Sequence, residues 1–328
     1  MENIAMMVFA ASLLQLALAG SADPSSDNWL VASGGDSCSP SDVDFSNGPS
    51  GFAAGSFNCG LVTDDGGLTW SPIRVIPQQG QSLTWAAART RDELFAARLG
   101  LYRSTDRGAT WSELGNLSQG LGSILDLHFH DAGGMVAIKG GQIITSEDGG
   151  ATWTIAYPGE FNINFDELHF LDAATGYATG GVVRSGGNFG TVLRTDDGGQ
   201  SWDLLTFDYG KITAADFLDK DHGLVATQSE GFFATSDGGV SWEYRMTLPG
   251  FGTVTDIGHR GALHWYAVTN LGCLFESFDG GHDWQESYCD RSERALSSLS
   301  VKGPAVVAAG QDGLMLYENR IFADGFGE

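Results

Sequence analysis

An eight-residue pattern occurs six times: TDDGGLTW (Thr63 to Trp70), STDRGATW (Ser104 to Trp111), SEDGGATW (Ser146 to Trp153), TDDGGQSW (Thr195 to Trp202), TSDGGVSW (Thr235 to Trp242) and SFDGGHDW (Ser277 to Trp284). Its tryptophans fall 41, 42, 49, 40 and 42 residues apart. Such a period belongs to repeat architectures, in which each unit buries its apolar face only against its neighbours. Ahead of each copy stand a strand-like run of alternating polarity, a turn, and a short Ala/Val/Gly-rich run; a further strand follows the tryptophan. Four short antiparallel strands in about forty residues make one propeller blade. With 47 glycines and 8 prolines, the composition suits many short strands joined by tight turns.

Six motifs do not limit the chain to six blades. After Trp284, ALSSLSVKGPAVVAAGQDGLMLYENR supplies three more strand-like pieces, and NWLVAS (Asn28 to Ser33) supplies a fourth from the other end. The expected fold is all-β: a single seven-bladed β-propeller of four-stranded antiparallel blades over 28–320, its last blade closed by an N-terminal strand. Such closure removes exposed sheet edges. Six blades is the alternative, and 321–328 is read as a tail.

The motif itself reads as structure. An aspartate in a tight turn accepts hydrogen bonds from N–H groups just downstream, and glycine supplies the positive φ. That assigns Asp65, Asp106, Asp148, Asp197, Asp237 and Asp279 to turns. Trp70, Trp111, Trp153, Trp202, Trp242 and Trp284 are assigned to burial between sheets, where an indole removes a large apolar area from water. A calcium loop would need alternating acidic ligands and a distal Glu, which the pattern lacks. No metal or cofactor is expected.

With 17 basic and 41 acidic residues the formal charge is −24, which disfavours nucleic acid and anionic lipid as partners. Residues 1–22 read as an export signal: Ile4 to Leu18 is apolar apart from Ser12 and Gln15, and small residues follow, although no Lys or Arg precedes the run. Residues 23–27 would be a linker. No cysteine follows the small residues, so a lipid anchor there is not expected. An exported chain, periplasmic or extracellular, keeps disulfides. Of the three possible pairings, the repeat register favours Cys273 with Cys289, on opposite arms of one hairpin, which leaves Cys38 with Cys59. Buried free thiols are the alternative.

Aligning the units places Asp44, Ala87, His128, His169, Asp216, Asp256 and Ser300 at one shared position, just before an apolar residue of the first strand. In a propeller this strand lines the central channel. The polar members are expected to hydrogen-bond neighbouring blades; a cation, a water cluster or a basic peptide segment are the alternative occupants. His128 and His130 share a strand face without a third ligand, a poor metal site.

The motif is the Asp-box, or bacterial neuraminidase repeat. The longer signature, FLDAATGYATGG or FLDKDHGLVAT ahead of RTDDGGQSW or ATSDGGVSW, resembles the photosystem II stability and assembly factor family over roughly residues 28 to 320. That resemblance implies a seven-bladed propeller without catalytic activity, a monomeric scaffold that binds a protein or membrane-complex subunit during assembly. The family's client surface is arginine-rich; here Arg89, Arg91, Arg98, Arg103 and Arg107 form the one noticeable cluster. The insertion GGVVRSGGNFG (Gly180 to Gly190) makes Arg184, Asn188 and Phe189 further partner-contact candidates.

A sialidase-like glycosidase, or a glycan-binding propeller, is the competing class. It would need three arginines on a carboxylate and a tyrosine–glutamate pair. Arg74, Arg103, Arg184, Arg194 and Arg260 are available, with Tyr317 beside Glu318. The Arg-Ile-Pro element that sialidases carry ahead of their first box appears here as RVIP after it, which counts against this class.

Overall fold

The computed structural model describes residues 29–318, apart from 33, 35–37, 76–81, 116, 118–121, 131–132, 161, 230, 249, 251, 291 and 303–305. The readings for the signal segment, linker and tail lie outside the described residues. Seven four-stranded antiparallel sheets are present, and in six of them the strands are consecutive in sequence. The innermost strands are Pro40–Phe45, Trp85–Ala88, Ile124–Phe129, Ile163–Phe170, Ile212–Phe217, Val254–His259 and Leu296–Ser300. The seventh sheet is completed by Trp29–Val31, which pairs antiparallel with Met315–Glu318. Seven blades closed by the N-terminal strand is thus the architecture, and the six-blade alternative is excluded.

The core lies between blades. One cluster joins Val136, Ile138 and Ile143 of blade three to Phe165, Leu193 and Trp202 of blade four. Gly199, at φ 85°, lies so close to Val136 that a Cβ there would stand 2.9 Å from the valine Cγ2. Both the left-handed backbone and this contact with the preceding blade demand glycine.

Each box closes on itself. In the first, Thr63 Oγ1 donates to Asp65 Oδ1 at 2.8 Å and accepts from Gly67 N–H at 3.1 Å, while Thr69 donates through both N–H and hydroxyl to Asp65. Trp70 Nε1 donates to the Gly67 carbonyl at 2.9 Å. Trp111, Trp153, Trp202 and Trp242 make the same bond, at 3.1, 3.0, 3.0 and 3.1 Å. Hydrogen bonds from Thr110 and Ser104 hold Asp106, and those from Thr152 and Ser146 hold Asp148, at a pKa of about 2.

The sixth box departs from the pattern. Asp283 replaces the hydroxyl residue and offers Asp279 only its N–H, at 3.0 Å. Trp284 Nε1 has no hydrogen-bond partner among the described residues. Its ring stacks on Phe232 instead, with centroids 4.7 Å apart. Restoring a hydroxyl and removing one of two adjacent carboxylates, Asp283→Thr, is expected to stabilise the protein by about 1 kcal/mol. Urea titration checks this, with a raised midpoint at unchanged slope as the expected result.

Both expected disulfides form, Cys38 with Cys59 and, as the repeat register suggests, Cys273 with Cys289. Cys273 and Cys289 are direct partners across adjacent strands. Among the described residues no helix is long and apolar enough to cross a membrane.

Candidate functional site

In an antiparallel blade, the turn joining the first and second strands lies on the same face as the box, which joins the third and fourth. The turn joining the second and third lies on the opposite face. The inner strands therefore run toward the box face and surround a central cavity of about 880 Å³.

Six of the seven inner strands carry a register shift near their start. The residue just after it is Asp42, Asp126, Glu167, Ala214, Asp256 or Ser298, and Trp85 holds the equivalent place in blade two. These side chains latch one blade to the next. Asp42 accepts from Ala86 N–H at 2.8 Å, Asp126 from Leu168 at 2.6 Å, Glu167 from Ala215 at 3.0 Å and Asp256 from Leu299 at 2.7 Å. Ser298 closes the ring by accepting from Val43 N–H at 3.3 Å and donating to Asp42. Where Trp85 interrupts the row, the Thr84 hydroxyl donates to the Ile124 carbonyl at 2.7 Å. Where Ala214 does, Asp216 meets His259 Nδ1 at 2.6 Å.

Two residues further along stand Asp44, Ala87, His128, His169, Asp216, Gly258 and Ser300. Asp44, Ala87, His128, His169, Asp216 and Ser300 share this register position, and Asp256 does not. Asp256 belongs to the latch row, two residues earlier, and Gly258 holds the ring position in blade six. The cause is local: the apolar residue ending this strand is Phe45, Phe129, Phe170 or Phe217 in four blades, but His259 stands there in blade six. Stacking on an apolar neighbour therefore selected Ile257 and slipped the register by two.

The ring side chains have distinct partners. Asp44 accepts from Ala88 N–H at 3.1 Å and pairs with Lys302 at 2.7 Å. His128 stacks on Phe170 with centroids 4.4 Å apart. His169 Nε2 lies 3.3 Å from Glu167 Oε2, off the line a hydrogen bond needs, and His169 Nδ1 lies 3.9 Å from Asp216. Ser300, 4% exposed, has no hydrogen-bond partner for its hydroxyl among the described residues.

Burial dominates the electrostatics. Desolvation raises Asp42 to about 6 and Asp126 to about 7, with neighbouring carboxylates adding to it. Asp256 is pushed well above the usual carboxylate range, first by burial and then by Glu167. Burial, then the nearby cationic groups, lowers His128 to about 3. For His169 burial opposes the charge, but Glu167, Asp216 and Asp126 outweigh it and raise the pKa to about 9.

The two mouths differ. On the box face, Arg89 and Lys302 stand four residues past the latch row. On the opposite face, the residues one before that row are Ser41, Thr84, Leu125, Asp166, Thr213, Thr255 and Ser297. Lys211 pairs with Asp166 at this rim, at 2.7 Å.

Four of the five clustered arginines gather around two carboxylates. Arg91 and Arg107 both pair with Asp64 of the preceding blade, and Arg89 and Arg103 both pair with Glu93. Arg98 lies in the turn between the second and third strands of its blade, on the opposite face. The pairs with Asp64 join blade one to blade two, and those with Glu93 lie within blade two.

The insertion of blade four is an extended hairpin, Gly176–Arg184 paired with Gly187–Thr195. Its strands have nine residues, against five in the corresponding strands of blade five. At about 3.3 Å per residue the tip stands roughly 13 Å further out on the face opposite the boxes. Val183, Arg184 and Asn188 are exposed there, whereas Phe189 packs against the core of blades three and four.

The arginines a sialidase would need do not converge. Arg103 pairs with Glu93, Arg184 sits at the hairpin tip, Arg194 pairs with Asp196, and Arg260 lies 3.9 Å from Glu318. Neither these nor Arg74 line the central cavity, where Arg89 is the sole arginine among the described residues. No group of three His, Cys, Asp or Glu able to hold a metal ion occurs among the described residues.

The BNR/Asp-box repeat model matches residues 102–113, the second box. The photosystem II assembly lipoprotein Ycf48 of Synechococcus sp. (strain CC9902) is 26% identical over 182 residues, covering 53% of this chain and 52% of that protein. The chain thus matches about half the length of this curated relative. Among solved structures, YCF48 bound to D1 peptide superposes with a TM-score of 0.72 at 18% identity, over 89% of this chain and 97% of that one. The GH74 enzyme of Niastella koreensis gives 0.61 at 17% identity, over 90% of this chain but 44% of the enzyme. The sheet order, the repeated boxes and these likenesses together make the chain a Ycf48-like BNR/Asp-box β-propeller, a distant homologue of the photosystem II assembly lipoprotein Ycf48.

Proposed function

We propose that the protein is a non-catalytic, exported scaffold that holds a protein partner against the face opposite its boxes and assists assembly of a membrane protein complex. The observation that carries this is the blade-four hairpin, whose strands are four residues longer than those of blade five and which leaves Val183, Arg184 and Asn188 exposed at its tip. Exposed side chains on a rigid strand pair recognise a surface with little ordering cost. Two further facts support the reading: a propeller of the same fold carries a D1 peptide, and the two disulfides suit an oxidising compartment outside the cytoplasm.

The test is affinity recovery of the tagged protein from gently solubilised membranes of its own host, with mass spectrometry of what accompanies it. Val183→Ser, Arg184→Ala and Asn188→Ala together should reduce recovery of a discrete membrane complex at least tenfold. Phe189 is left in place, because altering it would disturb the core. Undiminished recovery with the triple variant, or no protein partner at all, would sink the reading.

A further inference from the structure

We infer that the central channel is a binding site for a basic side chain, lysine or arginine, of a polypeptide entering from the face opposite the boxes. This rests on the scaffold reading above and names a place where the partner is gripped. The cavity, at about 880 Å³, is within the range that encloses small ligands, and a single side chain with its flanking backbone fits it comfortably.

Charge and polarity select the ligand. Seven carboxylates line the cavity, and the two lysine or arginine residues among its lining residues, Arg89 and Lys302, both stand at the box-face mouth. Lys302 is taken up by Asp44, and Arg89 turns toward Glu93 and the Phe129 ring. The opposite mouth presents hydroxyls, Leu125 and Asp166, the last paired with Lys211, so a cation approaching there meets oxygen acceptors ahead of the ring. Carboxylates outnumber Arg89, Lys302 and the His169 imidazolium among the described lining residues, and a low-dielectric funnel with an excess of one sign concentrates the opposite charge.

The second observation is independent of charge. Ser300 lies in the ring that faces this cavity, 96% buried by its 4% exposure, and its hydroxyl has no partner among the described residues. Buried hydroxyls are ordinarily satisfied, so one left without a partner on a cavity wall marks where a ligand donor sits. Blade seven supplies it beside Lys302, at the level of Asp44, Asp216 and His169 around the same ring.

The test uses the whole folded protein, the capped peptide Ac-Lys-Lys-Lys-NH2, its all-glutamate counterpart, and spermidine. Binding is read by the imidazole NMR signals. His128, His169 and His259 line the channel, while His222 and His282 are on the outside and report adventitious surface binding. The lysine peptide should shift the three channel histidines and leave the outer pair unmoved. The glutamate peptide should shift none, and spermidine should bind at least tenfold more weakly.

Ser300→Lys, which tethers an ammonium group in the site, should weaken peptide binding at least tenfold. Should that variant fold poorly, Ser300→Ala removes only the hydroxyl at nearly constant volume and should weaken it two- to fivefold. Unmoved channel signals, equal affinity for spermidine, or unchanged affinity in the folded Ser300 variants would overturn the assignment. Recovery of a partner complex alongside silent channel histidines would keep the scaffold and discard the channel site, so the two failures are distinguishable.

Discussion

Trp202→Ala is expected to cost about 3 to 5 kcal/mol of stability, the usual range for deleting a buried indole. Trp202 is 9% exposed, donates to the Gly199 carbonyl, and meets Phe170 edge-on with centroids 6.0 Å apart. Removing it opens a cavity in the seam between blades three and four, where Val136 and Leu193 also pack. For a domain of this size the melting temperature should fall by roughly 10 °C. Asp197→Ala, which leaves the indole but unties the turn, should cost about 2 kcal/mol. Chemical denaturation of both variants would show whether the indole or the turn dominates, and a loss below about 1 kcal/mol for Trp202→Ala would refute the structural reading of the box.

Stability should peak in mildly acidic solution and fall toward alkaline pH. Asp42 and Asp126, raised to about 6 and about 7, hold their protons more tightly folded than unfolded. Their contribution is therefore complete below the unfolded value near 4 and is lost as pH climbs through 6 and 7. His169, raised to about 9, acts in the same direction: its stabilisation is present below about 6.5 and is lost as pH rises through 9. His128, lowered to about 3, acts oppositely and withdraws stability as pH falls from about 6.5 toward 3. The boxes resist acid, because Asp106 and Asp148 stay ionised to about 2.

The sum places the maximum near pH 4, with a decline on the order of 3 to 4 kcal/mol for each of the two aspartates on going to pH 9. Asp126→Asn should flatten the alkaline limb, since an amide oxygen still accepts from Leu168 N–H without a charge to bury. Thermal melts from pH 4 to 9 measure this. A profile that rises toward pH 9, or one that Asp126→Asn leaves unchanged, would contradict the burial of these carboxylates.

The parts of this fold that sequence revealed are those a few neighbouring residues determine. A box is a local object: Thr195, Asp197, Gly199 and Trp202 satisfy one another within eight positions, so six copies and their spacing disclose the blades. The Cys273–Cys289 bridge followed because the same register recurs in every unit. The latch row stayed hidden because its hydrogen bonds run to the next blade, some forty residues away, and because the extra residue at each register shift breaks simple alternation. A signal was nonetheless present. An acid or serine directly before an aliphatic residue recurs as Asp42-Val43, Asp126-Leu127, Glu167-Leu168, Asp256-Ile257 and Ser298-Leu299. Proximity in sequence likewise did not disclose that Asp64 and Glu93 pair with four of the clustered arginines.

The way the ring closes also sets a timetable. Trp29–Val31 has its partner in Met315–Glu318, at the far end of the chain. At about 5 to 20 residues per second, synthesis leaves that first strand waiting on the order of 15 to 60 s for its complement. Until then the last blade is missing and two blade faces, including Val43 and Phe45 on one side and Tyr266 and Val268 on the other, lack their cover. Closure of so distant a pair also makes folding slow once the chain is complete. The ring is thus a late product of folding: blades can form in order from one end, but the circle that gives each of them two neighbours exists only after the two termini have met.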